Sequence, residues 1–294
     1  MRPMMCAMPM AVPAIESENP MLFRRLFLCA LFVGVLTGLF DSLVQRWQVV
    51  PLILAAEVLE TAAESAAPAA AVSAGSDHAH ADGAVHSHDS VWEPQPGLER
   101  TAYTVLANVL NAVGTALVLM PLMALFNRQR GGQPLSLQQG YGAVLRHGLL
   151  WGAAAWVSLF ALPALGLPPE LPGMQSAALH ARQLWWVGAA LCGAGGLAML
   201  FLIKAKWRVL GLALLALPFA IGVPEHAGSP YAGLGPEVAV QLQALASRFA
   251  LATAVASALQ YLLLGALCAA AVARWLAPLL ATAAPAPVTA EVSS

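Results

Sequence analysis

Five long apolar segments constrain this chain more than any other feature of its sequence. Each is long enough to cross a hydrocarbon layer about 30 Å thick as one helix, because an α-helix rises about 1.5 Å per residue. A sixth segment, residues 209–223, reaches only about 22 Å, so it recruits flanking residues, thins the bilayer or re-enters without crossing. The long segments are residues 26–45, 103–126, 148–167, 185–203 and 249–273.

The composition also indicates a membrane protein. Of the 294 residues, 59% are hydrophobic and 10% are charged, whereas about a quarter of the residues of a soluble domain are charged. We predict an all-α, polytopic membrane bundle of six helices, or of five if residues 209–223 do not cross. The membrane domain is predicted at residues 21–276, between two disordered tails at residues 1–20 and 277–294.

The positions of the cations predict the orientation of the bundle. Cytoplasmic loops of membrane proteins carry an excess of Lys and Arg. With six helices and both termini in the cytoplasm, ten of the 14 cations lie on the inner side. The loop at residues 61–96 is then extracytoplasmic. The ten inner cations are Arg2, Arg24, Arg25, Arg128, Arg130, Arg146, Lys204, Lys206, Arg208 and Arg274.

A dense run of histidine and aspartate lies within this loop. In an extended chain, residues two apart lie on the same side at about 7 Å, so each His-x-His pair can offer two imidazoles to one ion. The surrounding Ala, Ser and Gly residues have no side chains that could pack and hold a fixed coordination geometry. The run is either a weak metal-capture tract or a solvated linker. Its candidate metal ligands are Asp77, His78, His80, Asp82, His86, His88 and Asp89.

Three polar residues form a candidate transport pathway nearer the membrane. Asp41 lies within the first apolar segment, where an ionisable group is costly and suggests function. Asn108 lies in the outer half of the second segment, and Glu170 lies in the proline-rich turn at residues 165–174. Their oxygens suit a divalent cation that keeps several waters. Alternatively, Asp41 snorkels to the outer interface, Asn108 only bonds a neighbouring helix, and Glu170 pairs with Arg182.

The last apolar segment carries a stripe of polar residues. Thr253, Ser257 and Gln260 are spaced i, i+4 and i+7, which places them on one face of a helix. They either line the same outward vestibule or form hydrogen bonds between helices.

The sequence does not indicate an enzyme or a nucleic-acid-binding protein. Its net charge is −1 and its cations form no clustered basic face. It contains no Ser/His/Asp arrangement, no H-E-x-x-H motif, no P-loop and no dinucleotide fingerprint, and we predict no prosthetic group. The four cysteines show no C-x-x-C spacing, and those in apolar segments are expected to pack as small hydrophobic residues.

Several motifs resemble the CbtA family of probable cobalt transporter subunits. The most specific are LGLPPELPG at residues 165–173 and ARQLWW at residues 181–186. Less specific apolar blocks extend the resemblance to residues 21–276. Members of the family typically carry a histidine-rich stretch in the first outer loop, as residues 78–88 do here, and they are usually described with five membrane helices.

The resemblance implies a component of cobalt uptake in the bacterial inner membrane that supplies cobalt for cobalamin synthesis. It implies Co²⁺ as the transported ion and a small, single-span, histidine-rich partner subunit of the CbtB type. The residues themselves support only a divalent cation. They also leave open a second class of function, in which the bundle is a non-transporting scaffold or a metal-sensing subunit for a partner protein.

Overall fold

The computed structural model describes residues 19–66, 94–129, 137–203 and 205–277. The predicted metal-capture tract at residues 77–89 lies outside these ranges, as do most residues of both predicted tails. In the described part of the chain all regular structure is helical, so the prediction of an all-α fold is confirmed. The first helix begins at Asn19, so the last two residues of the predicted N-terminal tail, Asn19 and Pro20, are helical.

Eight α-helices follow one another in the described ranges. The helix α4 passes through one π-helical turn, Val157–Ala161, into the short helix α5, and α8 continues through a second π turn, Val272–Leu276. Short 3-10 turns, Leu137–Gln139 and Ala205–Trp207, precede α4 and α7. The helices are α1 Asn19–Gln48, α2 Val50–Ala66, α3 Leu98–Gln129, α4 Tyr141–Trp156, α5 Leu162–Gly166, α6 Leu179–Leu202, α7 Arg208–Ile221 and α8 Pro236–Ala271.

Five of the described helical stretches are long and apolar enough to cross a membrane, which confirms the five long segments predicted above. The helix α7 has 14 residues and reaches only about 21 Å, so it is shorter than these five stretches. The five long stretches are Met21–Gln48, Leu98–Phe126, Tyr141–Gly166, Leu179–Phe201 and Pro236–Leu276.

The helix α2 was not predicted. It begins directly after α1, where the Val49 amide still donates to the Gln45 carbonyl at 2.9 Å, and Pro51 lies in its first turn, where a missing N–H costs little. Ala56 is fully buried and packs with Leu242 of α8 in a hydrophobic cluster. The predicted loop at residues 61–96 therefore begins with the last turns of this helix.

The connections after α5 and α7 lie at the same end of the bundle as α2. The Gln175 amide donates to the Pro230 carbonyl at 2.7 Å, and Leu171 packs with Val49 and Ala56 in one cluster. We call this end the α2 end. The opposite end contains Leu276 of the second π turn and Val144 of α4, which belong to the other core cluster.

The helix α7 runs antiparallel to α6 and returns the chain to the α2 end. The Trp185 indole N–H, near the start of α6, donates to the Pro218 carbonyl near the end of α7 at 3.2 Å. At the other end of the pair, a Cβ added to Gly196 would lie 2.9 Å from the Gly211 carbonyl oxygen. The helix α7 therefore packs along α6 over the length of its 14 residues.

Small residues let α1 approach α3 closely. A Cβ at Gly34 would lie 2.6 Å from the Val113 Cα, and one at Gly38 would lie 2.5 Å from the Val109 Cα. Gly34 and Gly38 form a G-x-x-x-G pattern, which in membrane helices permits backbone contact. This contact brings the polar residues at the α2 end of α1 against those of α3.

A second glycine contact joins α4 to α8. A Cβ at Gly148 would lie 2.6 Å from the Gly265 carbonyl oxygen, and one at Gly265 would lie 2.6 Å from the Gly152 nitrogen. Gly152 itself lies against the carbonyl of Tyr261. The α4–α8 contact thus fixes the position of the α8 segment that carries Tyr261.

Candidate functional site

Asp41 is buried inside the bundle. Its side chain is 2% exposed, so it does not snorkel to an interface, and that alternative is excluded. It lies about 10 Å before the end of α1, seven residues from Gln48 at about 1.5 Å per residue. The neighbouring turn carries Thr37, which is fully buried and donates to the Val33 carbonyl of its own helix at 2.8 Å.

Hydrogen bonds connect Asp41 with Asn108. The Gln45 amide nitrogen donates to Asp41 Oδ2 at 2.7 Å, and the Asn108 amide nitrogen donates to Gln45 Oε1 at 3.2 Å. Asn108 also donates to the Ser42 hydroxyl at 3.1 Å. Two of the predicted pathway residues are therefore brought together, and Asn108 also makes the interhelical bonds considered as its alternative role.

Sequence reasoning missed Gln45, the residue that connects them. A signal was present, because Gln45 follows Asp41 by four residues and side chains at that spacing meet on a helix surface. The partner on α3 could not be predicted in this way, because no spacing along the chain indicates that Asn108 contacts α1.

One carboxylate oxygen of Asp41 has no partner. Oδ1 is buried and accepts no hydrogen bond from any residue that the structure describes. In the same ranges the ion pairs are Arg100–Glu57 and Arg182–Glu170, so neither balances the charge of Asp41. A buried carboxylate oxygen without a donor is costly. A carboxylate oxygen of this kind is chemically able to accept a hydrogen bond or bind a cation.

Tyr261 of α8 is buried in the main core cluster. It is 8% exposed and belongs to the same cluster as Val33 of α1 and Ala112 of α3. A tyrosine in an apolar segment is usually a packing residue, and Tyr261 packs in this way.

Glu170 is paired with Arg182 at the α2 end. The Arg182 Nη2 lies 2.6 Å from Glu170 Oε2, and about a quarter of each side chain is exposed, 28% for Arg182 and 25% for Glu170. Pairing across the loop was one of the two roles considered for Glu170, and it is confirmed. No contact among the described residues joins Glu170 to Asp41 or Asn108, so its place in a pathway remains a prediction.

The polar stripe of the last helix mainly serves packing. The Trp156 indole N–H donates to the Ser257 hydroxyl at 3.0 Å, an interhelical bond of a kind that contributes about 0.6 kcal/mol. The Thr253 hydroxyl donates to the Phe249 carbonyl of its own helix at 2.7 Å. Gln260 is 5% exposed, one residue before Tyr261.

The described residues contain no group of three or more His, Cys, Asp or Glu side chains that could hold a metal ion. Cys29 and Cys268 are free thiols in the main core cluster, where they pack as the sequence predicted. A cation at Asp41 would therefore have one carboxylate and neutral oxygens for ligands.

These observations define a multi-pass helical membrane protein with a buried carboxylate in its interior. A family model described as "Probable cobalt transporter subunit (CbtA)" matches residues 23–273. The chain therefore belongs to the CbtA family, as its LGLPPELPG and ARQLWW motifs suggested. Searches of curated proteins and of solved structures found no match to the chain. Membership makes the protein a membrane component of transport, and the word subunit implies at least one partner.

Proposed function

We propose that this protein is the membrane component of a cobalt uptake transporter that supplies Co²⁺ for cobalamin synthesis. The observation that carries the proposal is the unpartnered Oδ1 of Asp41 inside a bundle whose family consists of probable cobalt transporter subunits. An ionisable group in a membrane interior is costly and is retained where an ion passes. Among the described residues of the interior, Asp41 supplies the formal charge that attracts a divalent cation.

In this proposal the cation follows a route through the predicted residues. The tract at residues 77–89 collects Co²⁺ on the extracytoplasmic side of the membrane, and the ion then passes to Glu170, Asn108 and Asp41. The carboxylate and amide oxygens of these residues suit an ion that keeps part of its hydration shell. Common nitrogen and oxygen sites bind Ni²⁺ and Cu²⁺ more tightly than Co²⁺, so selectivity depends on the geometry of the site or on metal supply.

The proposed orientation has the α2 end outside and both termini in the cytoplasm of a bacterium, with the protein in the inner membrane. The excess of cations at the opposite end supports it, and so does the antiparallel return of α7, which in this proposal is a sixth, short crossing. A topology reporter fused at residue 85 is expected to be active outside the cytoplasm. Reporter activity in the cytosol would reverse the direction of transport proposed here.

The proposed partner is a small, single-span, histidine-rich subunit of the CbtB type. The test of the function is the flux of radioactive cobalt into liposomes that contain the purified protein, with and without this partner. Flux that requires the protein supports a transporter. Cobalt binding without flux in both preparations would instead favour the scaffold or metal-sensing function.

Removing the metal-capture tract tests its role separately. Deletion of residues 77–89 is expected to lower cobalt uptake severalfold when cobalt is scarce and to leave it unchanged when cobalt is abundant, because a weak capture site matters only below saturation. Uptake is measured with radioactive cobalt over a range of concentrations. A matched variant replaces the same residues with Gly and Ser, which keeps the loop length. Unchanged uptake at scarce cobalt would reject the capture role.

A further inference from the structure

A groove between three membrane-crossing helices lies at the end of the bundle opposite α2. It is bounded by α1, the first turns of α4 and the last turns of α8, and its volume is about 570 Å³. Its lining is largely apolar and includes the buried residues Val33, Val144 and Ala271. All three helices belong to stretches long enough to cross a membrane, so the occupant of the groove comes from the bilayer.

Arg274 and Trp275 line the groove from the second π turn, Val272–Leu276. Trp275 packs edge to face on Phe32 of α1, with 6.4 Å between the ring centroids. Arg274 is exposed and takes part in neither of the ion pairs found in the described ranges. π turns within α-helices occur frequently at functional sites. This π turn places a cation without a described carboxylate partner at the edge of an apolar groove.

The charges of the described residues make this end of the bundle complementary to an anion. Besides Arg274, its cations include Arg25 near the start of α1 and Arg146 beside the groove residue Leu145. Basic pockets between membrane helices are typical sites for the head groups of anionic lipids. The acidic residues of the described ranges all lie in the half of the bundle nearer α2, and they are Asp41, Glu57, Glu60, Glu64, Glu99, Glu170, Glu225 and Glu237.

We propose that this groove binds an anionic phospholipid of the adjoining leaflet, with the phosphate at Arg274 and one acyl chain between α1, α4 and α8. The site goes beyond the proposed function and does not depend on which ion the bundle carries. Lipid tails are as apolar as leucine, so apolar contact alone does not select one lipid over another. The guanidinium group supplies the selection, because it forms charge-assisted hydrogen bonds with phosphate.

The size of the groove favours an acyl chain over the helix of a partner protein. Its α8 lining extends from Leu267 to Arg274, which is about 10 Å along the helix axis. A helix with its side chains is about 10–12 Å across and would need roughly 800–1,200 Å³ over that length. The groove has about 570 Å³, so a helix can lie over it but not fill it, whereas an acyl chain is a single file of methylene groups.

Gly142→Leu tests the groove, because a leucine at this lining position of α4 fills it. A Cβ at Gly142 would have no neighbour within 4 Å, so the variant is expected to fold. The full-length protein is purified in detergent and mixed with phosphatidylglycerol and phosphatidylcholine that carry the same acyl chains, and native mass spectrometry measures how much of each stays bound. The parent is expected to retain phosphatidylglycerol about fivefold better, and Gly142→Leu is expected to lose this preference. Gly188→Leu, equally open but on α6, is the matched control and is expected to behave as the parent does.

Arg274→Gln tests the head-group contact, because it removes the charge and leaves the groove open. Its retention of phosphatidylglycerol is expected to fall about fivefold, the scale for one basic residue at an anionic membrane surface. Its retention of phosphatidylcholine is expected to stay unchanged. Arg208→Gln removes the same charge at the same end of the bundle, at the start of α7 and outside the groove, and is expected to retain both lipids as the parent does.

Equal retention of the two lipids by the parent would overturn the proposal, and so would unchanged retention of phosphatidylglycerol in either Gly142→Leu or Arg274→Gln. Retention of neither lipid by the parent would also overturn it and would point to another segment of the chain, such as residues 278–294, as the occupant. Displacement of the lipid by inorganic phosphate would assign the site to a free anion. Loss of phosphatidylglycerol in both variants, with both controls unchanged and no effect of inorganic phosphate, is the result that the proposal expects.

Discussion

Asp41→Asn is expected to lower cobalt flux into liposomes on the order of a hundredfold at every cobalt concentration, the scale for loss of a buried charged ligand. The change keeps the shape of the side chain and removes its charge. Because Oδ1 has no partner among the described residues, no structural contact is lost there. The carboxylate is buried without a paired cation, so the neutral variant is expected to melt at the same temperature or higher.

The melting temperature separates a functional role of Asp41 from a structural one. A residue that only holds the bundle together would lose stability and flux together, whereas the proposal expects lost flux with preserved stability. Glu237→Gln is the matched control, since it neutralises an exposed acid in the first turn of α8 and is expected to leave flux unchanged. Normal flux in Asp41→Asn would remove Asp41 from the pathway.

Gly265→Leu is expected to destabilise the bundle by about 3 kcal/mol or more, at the upper end for an overpacked interior. A Cβ at Gly265 would lie 2.6 Å from the Gly152 nitrogen and 2.7 Å from its Cα, and backbone atoms cannot move aside as a flexible side chain can. The helices α4 and α8 would have to separate. The loss is measured as a lower melting temperature of the purified protein in detergent.

Gly188→Leu provides the matched control for this prediction. It makes the same change in the middle of α6, but a Cβ at Gly188 would have no neighbour within 4 Å. Its melting temperature is expected to stay close to that of the unchanged protein. Equal losses in the two variants would mean that adding a leucine side chain to any helix of the bundle, and not the α4–α8 contact, determines the effect.

The interior site was predicted only in part. The position of Asp41 within an apolar segment pointed to it directly, because the cost of burying a carboxylate does not depend on the rest of the fold. Asn108 was included for its depth in the second segment, and Glu170 for its place in the proline-rich turn. The structure joins Asn108 to Asp41 through Gln45 and pairs Glu170 with Arg182, and no rule of spacing along the chain distinguishes these two outcomes.

The helix contacts made by the glycines were also predictable only in part. The G-x-x-x-G pattern at Gly34 and Gly38, and the one at Gly148 and Gly152, are legible in the sequence and indicate close helix contacts. Neither pattern indicates which helix it contacts. Only the structure shows that the first meets α3 at Val109 and Val113 and that the second meets α8 at Gly265.

The sequence by itself determined that this protein is a helical membrane bundle and that Asp41 is its most costly interior residue. Both follow from local quantities, namely the length of an apolar segment and the free energy of taking a charge out of water. The tertiary structure decided which helices are neighbours, that α2 continues directly from α1, and that Gln45 joins Asp41 to Asn108 of α3. Those outcomes depend on how closely two helix backbones can approach each other. The closest approach is set by the surfaces of both helices together, so the sequence of one helix does not predict it.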